Sequence, residues 1–388
     1  MNVLIIGGTG ILSSAVVDEC VAQDIKVTMI NRGTRRLFIN PNVDLIKCDI
    51  HNERTLKNLI YGKHYDCVVD FLIYNVEQLK YSLRLFGKVA DQYVFISSTA
   101  VYNTDITGLL YENSDKIQKS WQYSRRKYEC EEFLINYCRR NNIIYTIVRP
   151  GVNYGNTRIP YGMYPPIGRH WTIIGRILSG KPIITWNKGL NRHNITRVED
   201  FASGLVGLLG NDKAYGEAYN IVGDGIYSWK DVLEALGRIL NTQVKTLDIP
   251  VSFYAKELSD VEQIDHLIGG RSKDCMASNE KLKATLPSFT QKYTLDDGLR
   301  KTLRFYKSNS YLNGIDYQYD GMMDRIICKY QRKSGIDVSD LCFVEYLNAT
   351  GKEKLIHRLQ YFRGRHDKNI IINFLFRVIC LIKRYLKI

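Results

Sequence analysis

The chain of 388 residues lacks the spacing of a metal or disulfide framework. Its nine cysteines (Cys20, Cys48, Cys67, Cys130, Cys138, Cys275, Cys328, Cys342 and Cys380) form no CxxC pair and are scattered along the sequence, which fits reduced thiols in a cytosol and predicts no metal. No secretory leader is expected, since Met1 leads almost at once into Val3-Leu4-Ile5-Ile6 and then glycines, a run too short and wrongly flanked for a signal peptide. That run reads as a first strand. No internal repeat or low-complexity tract is present. The apolar stretch 369–388 is interrupted by charge and too short of apolar residues to span a bilayer.

Acidic residues are in deficit, 40 against 54 basic ones, and the net charge of +14 calls for an anionic partner. Phosphates of a small molecule, nucleic acid and an acidic membrane surface all qualify. The excess is local: from Lys352 to Lys387 ten lysines and arginines face only Glu353 and Asp367.

What is present in quantity is apolar residues, 45% of the chain, enough for a real core. Short β-branched runs at 3–6, 26–30, 43–46, 67–71, 93–96 and 145–148 alternate with helix-length amphipathic stretches. Strands covered on both faces look continuously hydrophobic, so the rhythm predicts an α/β fold with a doubly wound, Rossmann-type parallel sheet. Residues 1–150 are expected to form that domain, its core also receiving parts of 190–225. Residues 151–307, richer in Gly, Pro and aromatics, are expected to bind substrate, and 308–388 to form a helical, basic C-terminal extension that starts with a polar, Tyr- and Asp-containing link.

Gly7-Gly8-Thr9-Gly10 lies between the first strand and a helix running from about Ile11, the context in which a glycine loop cradles a dinucleotide's phosphates. Gly7 permits the tight turn and Gly10 the close approach of backbone, while Ser13 stands where a third glycine is usual. After the second strand come Asn31, Arg32 and Gly33, with Arg35 and Arg36 behind. An acidic residue would suit free ribose hydroxyls, whereas arginine suits a 2′-phosphate, so NADP is expected ahead of NAD. Asp49 is a candidate for the adenine amino group, or a helix cap. Tyr123 and Lys127, four apart, share a helix face, where an ammonium stabilises a phenolate for proton transfer. Upstream, Ser97-Ser98-Thr99-Ala100-Val101-Tyr102 ends a buried strand in hydroxyls.

The glycine loop, that hydroxyl-rich strand end, YxxxK and Arg149-Pro150 together resemble the extended short-chain dehydrogenases that epimerise, dehydrate or reduce nucleotide sugars, the NAD-dependent epimerase/dehydratase family. The likeness continues through 192–200, 219–224 and 294–306. It implies Tyr123 and Lys127 as catalytic residues and Ser98, or Thr99, as the hydroxyl polarising the substrate. It further implies a cofactor cleft of Gly7, Gly8, Thr9, Gly10, Ile11, Leu12, Asn31, Arg32, Arg36, Asp49, Ile50, Phe71 and Lys127, and substrate contacts at Tyr102, Asn153 and Arg192. A nucleoside-diphosphate sugar substrate, in surface polysaccharide or glycan precursor synthesis, and a homodimer are implied with it.

Dehydratases of the family carry Asp-Glu directly after the catalytic hydroxyl residue, whereas Thr99-Ala100 follows Ser98, which disfavours 4,6-dehydration. Asn31-Arg32-Gly33 also resembles chloroplast stem-loop-binding proteins, epimerase-like folds associated with RNA. The intact Tyr, Lys and hydroxyl positions nevertheless favour an enzyme over a non-catalytic protein that binds RNA or a membrane partner; an oxidoreductase acting on a non-sugar hydroxyl or carbonyl substrate is a further alternative. Residues 369–388 are amphipathic and basic; a helix packed on its own domain or on a second subunit is the commoner fate of such a stripe, and an interfacial helix on anionic lipid is the alternative. The expected place is therefore the cytoplasm, with peripheral contact at the inner membrane face as the variant.

Overall fold

The computed structural model describes residues 1–35, 39–116, 121–163, 165, 169–309, 314–332, 335 and 337–385. By contact the chain divides into two compact units, one of residues 1–155, 192–227 and 273–298, the other of 156–191, 228–272 and 299–388.

The first unit is built on β1 (Asn2–Ile6), β2 (Lys26–Asn31), β3 (Asp44–Lys47), β4 (Tyr65–Asp70), β5 (Ala90–Ile96), β6 (Ile144–Pro150) and β7 (Ala218–Ile221). They form one seven-stranded sheet in the order β7-β6-β5-β4-β1-β2-β3. Every pairing is parallel. The period of two explains why β1 reads as unbroken apolar sequence: Val3 and Ile5 enter one core, Leu4 and Ile6 the other, and all four are fully buried. On the first face α1 (Ile11–Ala22) supplies Val16, Val17 and Cys20, beside Phe201, Leu205 and Leu208 of α6 (Val198–Leu208). On the second, α2 (Glu53–Ile60), α3 (Val76–Phe86) and α4 (Gln122–Asn141) supply Leu56, Leu79, Leu83, Cys130 and Leu134. Strand order reverses between β1 and β4, and the loop after each carboxyl end is where an open α/β sheet places its ligands.

The second unit contains α5 (Trp171–Leu178), the parallel pair Ile183–Thr185 and Thr246–Asp248, and helices Trp229–Leu240, Tyr317–Gln331, Gly351–Arg365 and Ile370–Tyr385. Trp186 and Trp229 both donate their indole N–H to the Arg271 carbonyl, at 3.0 and 2.9 Å, which satisfies two large buried side chains at once. The polar, Tyr- and Asp-containing link expected after Ser308 is in large part the helix Tyr317–Gln331, and its core-facing side is buried. It crosses Gly351–Arg365 at glycines: a Cβ on Gly321 would lie 2.2 Å from the Tyr361 carbonyl oxygen, and one on Gly364 2.0 Å from that of Gln318. Only glycine lets the two backbones approach so closely.

This close crossing buries Asp320 and Asp324, which Arg176 and Lys181 neutralise. Lys181 lies 2.8 and 2.7 Å from the two carboxylates, Arg176 2.8 Å from Asp324, and Tyr361 donates to Asp324 at 2.7 Å. Among the described residues no helix is long and apolar enough to cross a membrane.

Candidate active site

The glycine loop after β1 is a tight turn because Gly7 has φ +82°, a region closed to most side chains, and because a Cβ there would sit 2.6 Å from Leu72. A Cβ on Gly8 would lie 2.3 Å from the Met29 sulfur, so Gly8 keeps the loop against β2. Ser13 replaces the third glycine and is itself structural. Its hydroxyl donates to the Gly7 carbonyl and accepts from the Gly10 N–H, both at 2.8 Å, and it is buried. Gly10 begins α1 without a side-chain cap, and no acidic residue stands in the first turn. The amides and positive pole of α1 therefore face no carboxylate of that turn, which suits an incoming phosphate. Thr9, Ile11 and Leu12 lie in or directly after this loop.

At the end of β2 the Asn31 Oδ1 accepts from the Gly33 N–H at 2.7 Å, while its Nδ2 is buried without an acceptor among the described residues. A buried unsatisfied donor costs about 1–3 kcal/mol, so this amide calls for a ligand oxygen or water. Arg32 and Arg35 are exposed beside it; Arg36 lies outside the described residues. The Asp49 carboxylate is exposed and accepts the His51 N–H at 3.0 Å, a local turn that leaves oxygen capacity for another donor. Ile50 and Phe71 are half-buried beyond β3 and β4. These groups fit a dinucleotide: a positive-φ cradle, an uncapped helix start and an orphaned amide all follow the carboxyl ends of β1 and β2.

Lys127 is almost fully buried on α4, and its ammonium donates to the carbonyls of Ile73, at 2.6 Å, and Ile96, at 2.8 Å. The second bond pins α4 to the residue that ends β5, next to Ser97-Ser98-Thr99. Two of three ammonium protons are thereby used and one is left for a further acceptor. Burial pulls the Lys127 pKa down to about 8, with Cys130, Asp70 and Glu131 opposing that fall. Tyr123 is one turn earlier on the same helix and half-buried, its ring 5.7 Å from that of Trp121. The Ser98 hydroxyl accepts the Ala100 N–H at 3.1 Å, which leaves its own proton to donate. Ser98 is half-buried and Thr99 buried, so Ser98 is the more accessible of the two candidate hydroxyls.

The substrate candidates divide. Asn153 donates its Nδ2 to the Gly151 carbonyl at 3.0 Å and keeps a buried Oδ1 without a partner among the described residues, the mark of a group awaiting a donor. Arg192 is exposed, and its backbone N–H and its guanidinium both engage Asp274, at 2.9 and 3.2 Å. A diphosphate at Arg192 would have to share it with that carboxylate. Tyr102, expected against substrate, is instead fully buried, its hydroxyl donating to Asn220 Oδ1 at 2.7 Å and accepting from Arg149 Nη1 at 2.8 Å. This geometry gives it the work of holding Arg149.

Sequence reasoning missed what lies behind these residues. Glu131, one turn beyond Lys127 on α4, grips Arg149 in a bidentate pair at 2.7 and 2.8 Å and accepts the Ser97 hydroxyl at 2.6 Å. Burial works against the Arg149 charge, but Glu131 outweighs it and holds the guanidinium above its ordinary pKa. The 4-residue step from Lys127 to Glu131 was the available signal, since it repeats the Tyr123–Lys127 face. Asp70, at the end of β4, is fully buried, and burial pushes its carboxyl up to about 6 although the Ser82 hydroxyl and the Leu72 N–H hydrogen-bond to it.

Residues 3–222 match the model of the NAD dependent epimerase/dehydratase family, more than half of the chain, and the protein belongs to that family. The chloroplast stem-loop binding protein of 41 kDa b of Arabidopsis thaliana is 25% identical over 251 residues, 61% of this chain and 62% of that protein. The dTDP-glucose 4,6-dehydratase 1 of Escherichia coli is 26% identical over 233 residues, 57% and 59% of the two chains. The chain thus spans about three fifths of the length of these curated relatives. Among solved structures, the UDP-glucose 4-epimerase of Thermotoga maritima with UDP-glucose is 17% identical, with a TM-score of 0.64 over 80% of this chain and 100% of that one. The UDP-glucuronic acid 4-epimerase of Bacillus cereus with UDP-glucuronic acid and NAD is 20% identical, also with a TM-score of 0.64, over 80% and 100%. At such identities these two share the fold.

Proposed function

We propose that the protein is an NAD(P)-dependent epimerase or ketoreductase of a nucleoside-diphosphate sugar. The observation that carries this reading is the Lys127–Ile96 hydrogen bond, which holds the Tyr-Lys face of α4 at the end of β5, where Ser98 presents a hydroxyl proton. Gly7, Gly8, Thr9, Gly10, Ile11 and Leu12 would hold the cofactor's pyrophosphate, with Asn31, Asp49, Ile50 and Phe71 toward its adenosine end. Arg32 and Arg36 favour the 2′-phosphate of NADP. When bound, the nicotinamide supplies a hydride acceptor and donor.

Tyr123 exchanges the proton of the reacting sugar hydroxyl. Ser98 donates to the same oxygen and stabilises charge that develops there, with Thr99 behind it. Lys127 places a cation one turn from Tyr123, favouring phenolate over phenol, and has one ammonium proton left for a ribose hydroxyl. Because burial brings its pKa to about 8, that support weakens as pH rises beyond 8. Asn153 contributes an unpaired acceptor to the substrate, and Arg192 a cation for its diphosphate. Thr99-Ala100 after Ser98 supplies neither carboxylate nor carboxylic acid, so elimination of water lacks its acid and base there. A cytoplasmic homodimer acting in glycan precursor synthesis completes the reading.

Tyr123→Phe tests it. Turnover of nucleoside-diphosphate sugars should fall by roughly two to four orders of magnitude, while nicotinamide binding, followed by fluorescence titration, stays within about twofold. Unchanged turnover removes Tyr123 from the chemistry. A chain that binds no nicotinamide but shifts stem-loop RNA in a salt-dependent way would belong with the function named for the Arabidopsis relative instead.

A further inference from the structure

The C-terminal helices of the second unit carry an apolar surface that the chemistry proposed above does not use. Gly351–Arg365 buries Tyr361 and Gly364 against Tyr317–Gln331 and turns the other way Leu355, Leu359 and Phe362, spaced four and three apart. Leu355 is 57% exposed. The next helix continues the pattern with Ile370, Ile371 and Phe374, exposed at 85, 71 and 63%. The two helices are joined where the Arg363 guanidinium lies 5.4 Å from the Phe376 ring centroid. Clustered large apolar side chains at such exposure mark a contact surface.

Charge identifies what covers it. Residues 351–388 hold ten lysines and arginines against two acidic residues, more than half of the chain's net charge of +14. Lys352 and Arg358 are exposed on the same helix as the leucine stripe, and exposed Lys368 stands at the junction of the two helices. A second copy placed on this face would set one basic rim against another, so self-association is opposed. An anionic lipid surface satisfies both features, taking the apolar side chains to the depth of the acyl boundary while its headgroups meet the cations. We propose that helix Gly351–Arg365 and the first turns of helix Ile370–Tyr385 form a docking surface for an anionic bilayer.

Sedimentation of the full chain with vesicles tests this, using phosphatidylcholine alone and phosphatidylcholine mixed with phosphatidylglycerol. The phosphatidylglycerol vesicles should bind the chain at least roughly tenfold better, and that preference should fade with added salt. Leu359→Glu with Phe374→Glu should lower binding by about tenfold or more at unchanged circular dichroism. As a second variant set, Lys352→Glu and Arg358→Glu should each lower it by about fivefold. Equal sedimentation with both vesicle types overturns the proposal, as does full binding by the Leu359/Phe374 variant. A lipid-free dimer that this variant converts to monomer overturns it in favour of a second copy.

Discussion

Two fully buried aspartates, one in each unit, meet the cost of a buried charge in opposite ways. Asp324 in the second unit is held below its ordinary pKa: burial would raise it, but Arg176 and Lys181 outweigh that. Asp70 in the first unit is pushed up to about 6 by burial, and Ser82, Leu72 and Lys127 recover only part of the loss. The first is a closed electrostatic unit whose members satisfy one another. The second is a carboxyl that titrates near 6 under the influence of Lys127, itself brought to about 8, so that two buried groups of this unit titrate close to neutral pH. Such pairs are expected where protons move, whereas fully compensated quartets are expected where segments are tied together. The quartet ties residues 171–181 to 317–331, 139 and 143 positions apart for the two Lys181 bonds.

The largest effect should come from breaking the compensated cluster. Asp324→Ala leaves Arg176 and Lys181 with Asp320 alone and removes the acceptor of the Tyr361 hydroxyl. Loss of one partner from a buried ion pair costs about 3–5 kcal/mol, which should appear as a lowered denaturant midpoint for the second unit. A change below about 1 kcal/mol would mean that the quartet does not hold the C-terminal helices.

The uncompensated aspartate gives a smaller effect with a definite sign. Asp70 has a folded pKa of about 6, above its ordinary 3.8, so the folded state keeps a proton that the unfolded state has lost between those values. Stability therefore falls as pH rises from about 4 to 6, by on the order of 2–3 kcal/mol, and the penalty is fully present above 6. Asp324 acts in the other direction, contributing stability above pH 4 that is lost on acidification. Asp70→Asn should flatten the 4-to-6 window in urea titrations. A slope that survives the substitution assigns it to another group.

The two units also differ in how far the sequence foretells them. The sheet was legible because β1, β2, β4, β5 and β6 are buried over most of their length and appear as apolar runs, whereas the largely exposed β3 showed only through Leu45 and Ile46; the glycine loop was legible because Gly7 needs a positive φ that few residues tolerate. Tyr123, Lys127 and Ser98 were legible as motif. Glu131 was not, because an acidic residue in a helix with many charges looks like a solvated face, and only the fold brings Arg149 of β6 to it. Asp320 and Asp324 were hidden for the same reason: their i, i+4 spacing suits an exposed stripe. The overlooked signal was Gly321 between them, since a helix-interior glycine announces close packing.

Tyr102 is the residue on which the sequence and structure readings part most clearly, and it has the smallest expected effect. As a substrate contact its hydroxyl would matter to KM and little to folding. As the bridge between Arg149 and Asn220 it should matter in reverse. Tyr102→Phe preserves the ring, and Arg149 keeps Glu131 and the Glu112 carbonyl, so only Asn220 Oδ1 loses its donor. One net buried hydrogen bond is worth about 1 kcal/mol, and the variant should lose that much stability with KM unchanged within about twofold. If KM instead rises roughly tenfold at constant stability, the hydroxyl leaves Arg149 for the substrate when one binds, and the network behind β5 is part of the binding site and not its support.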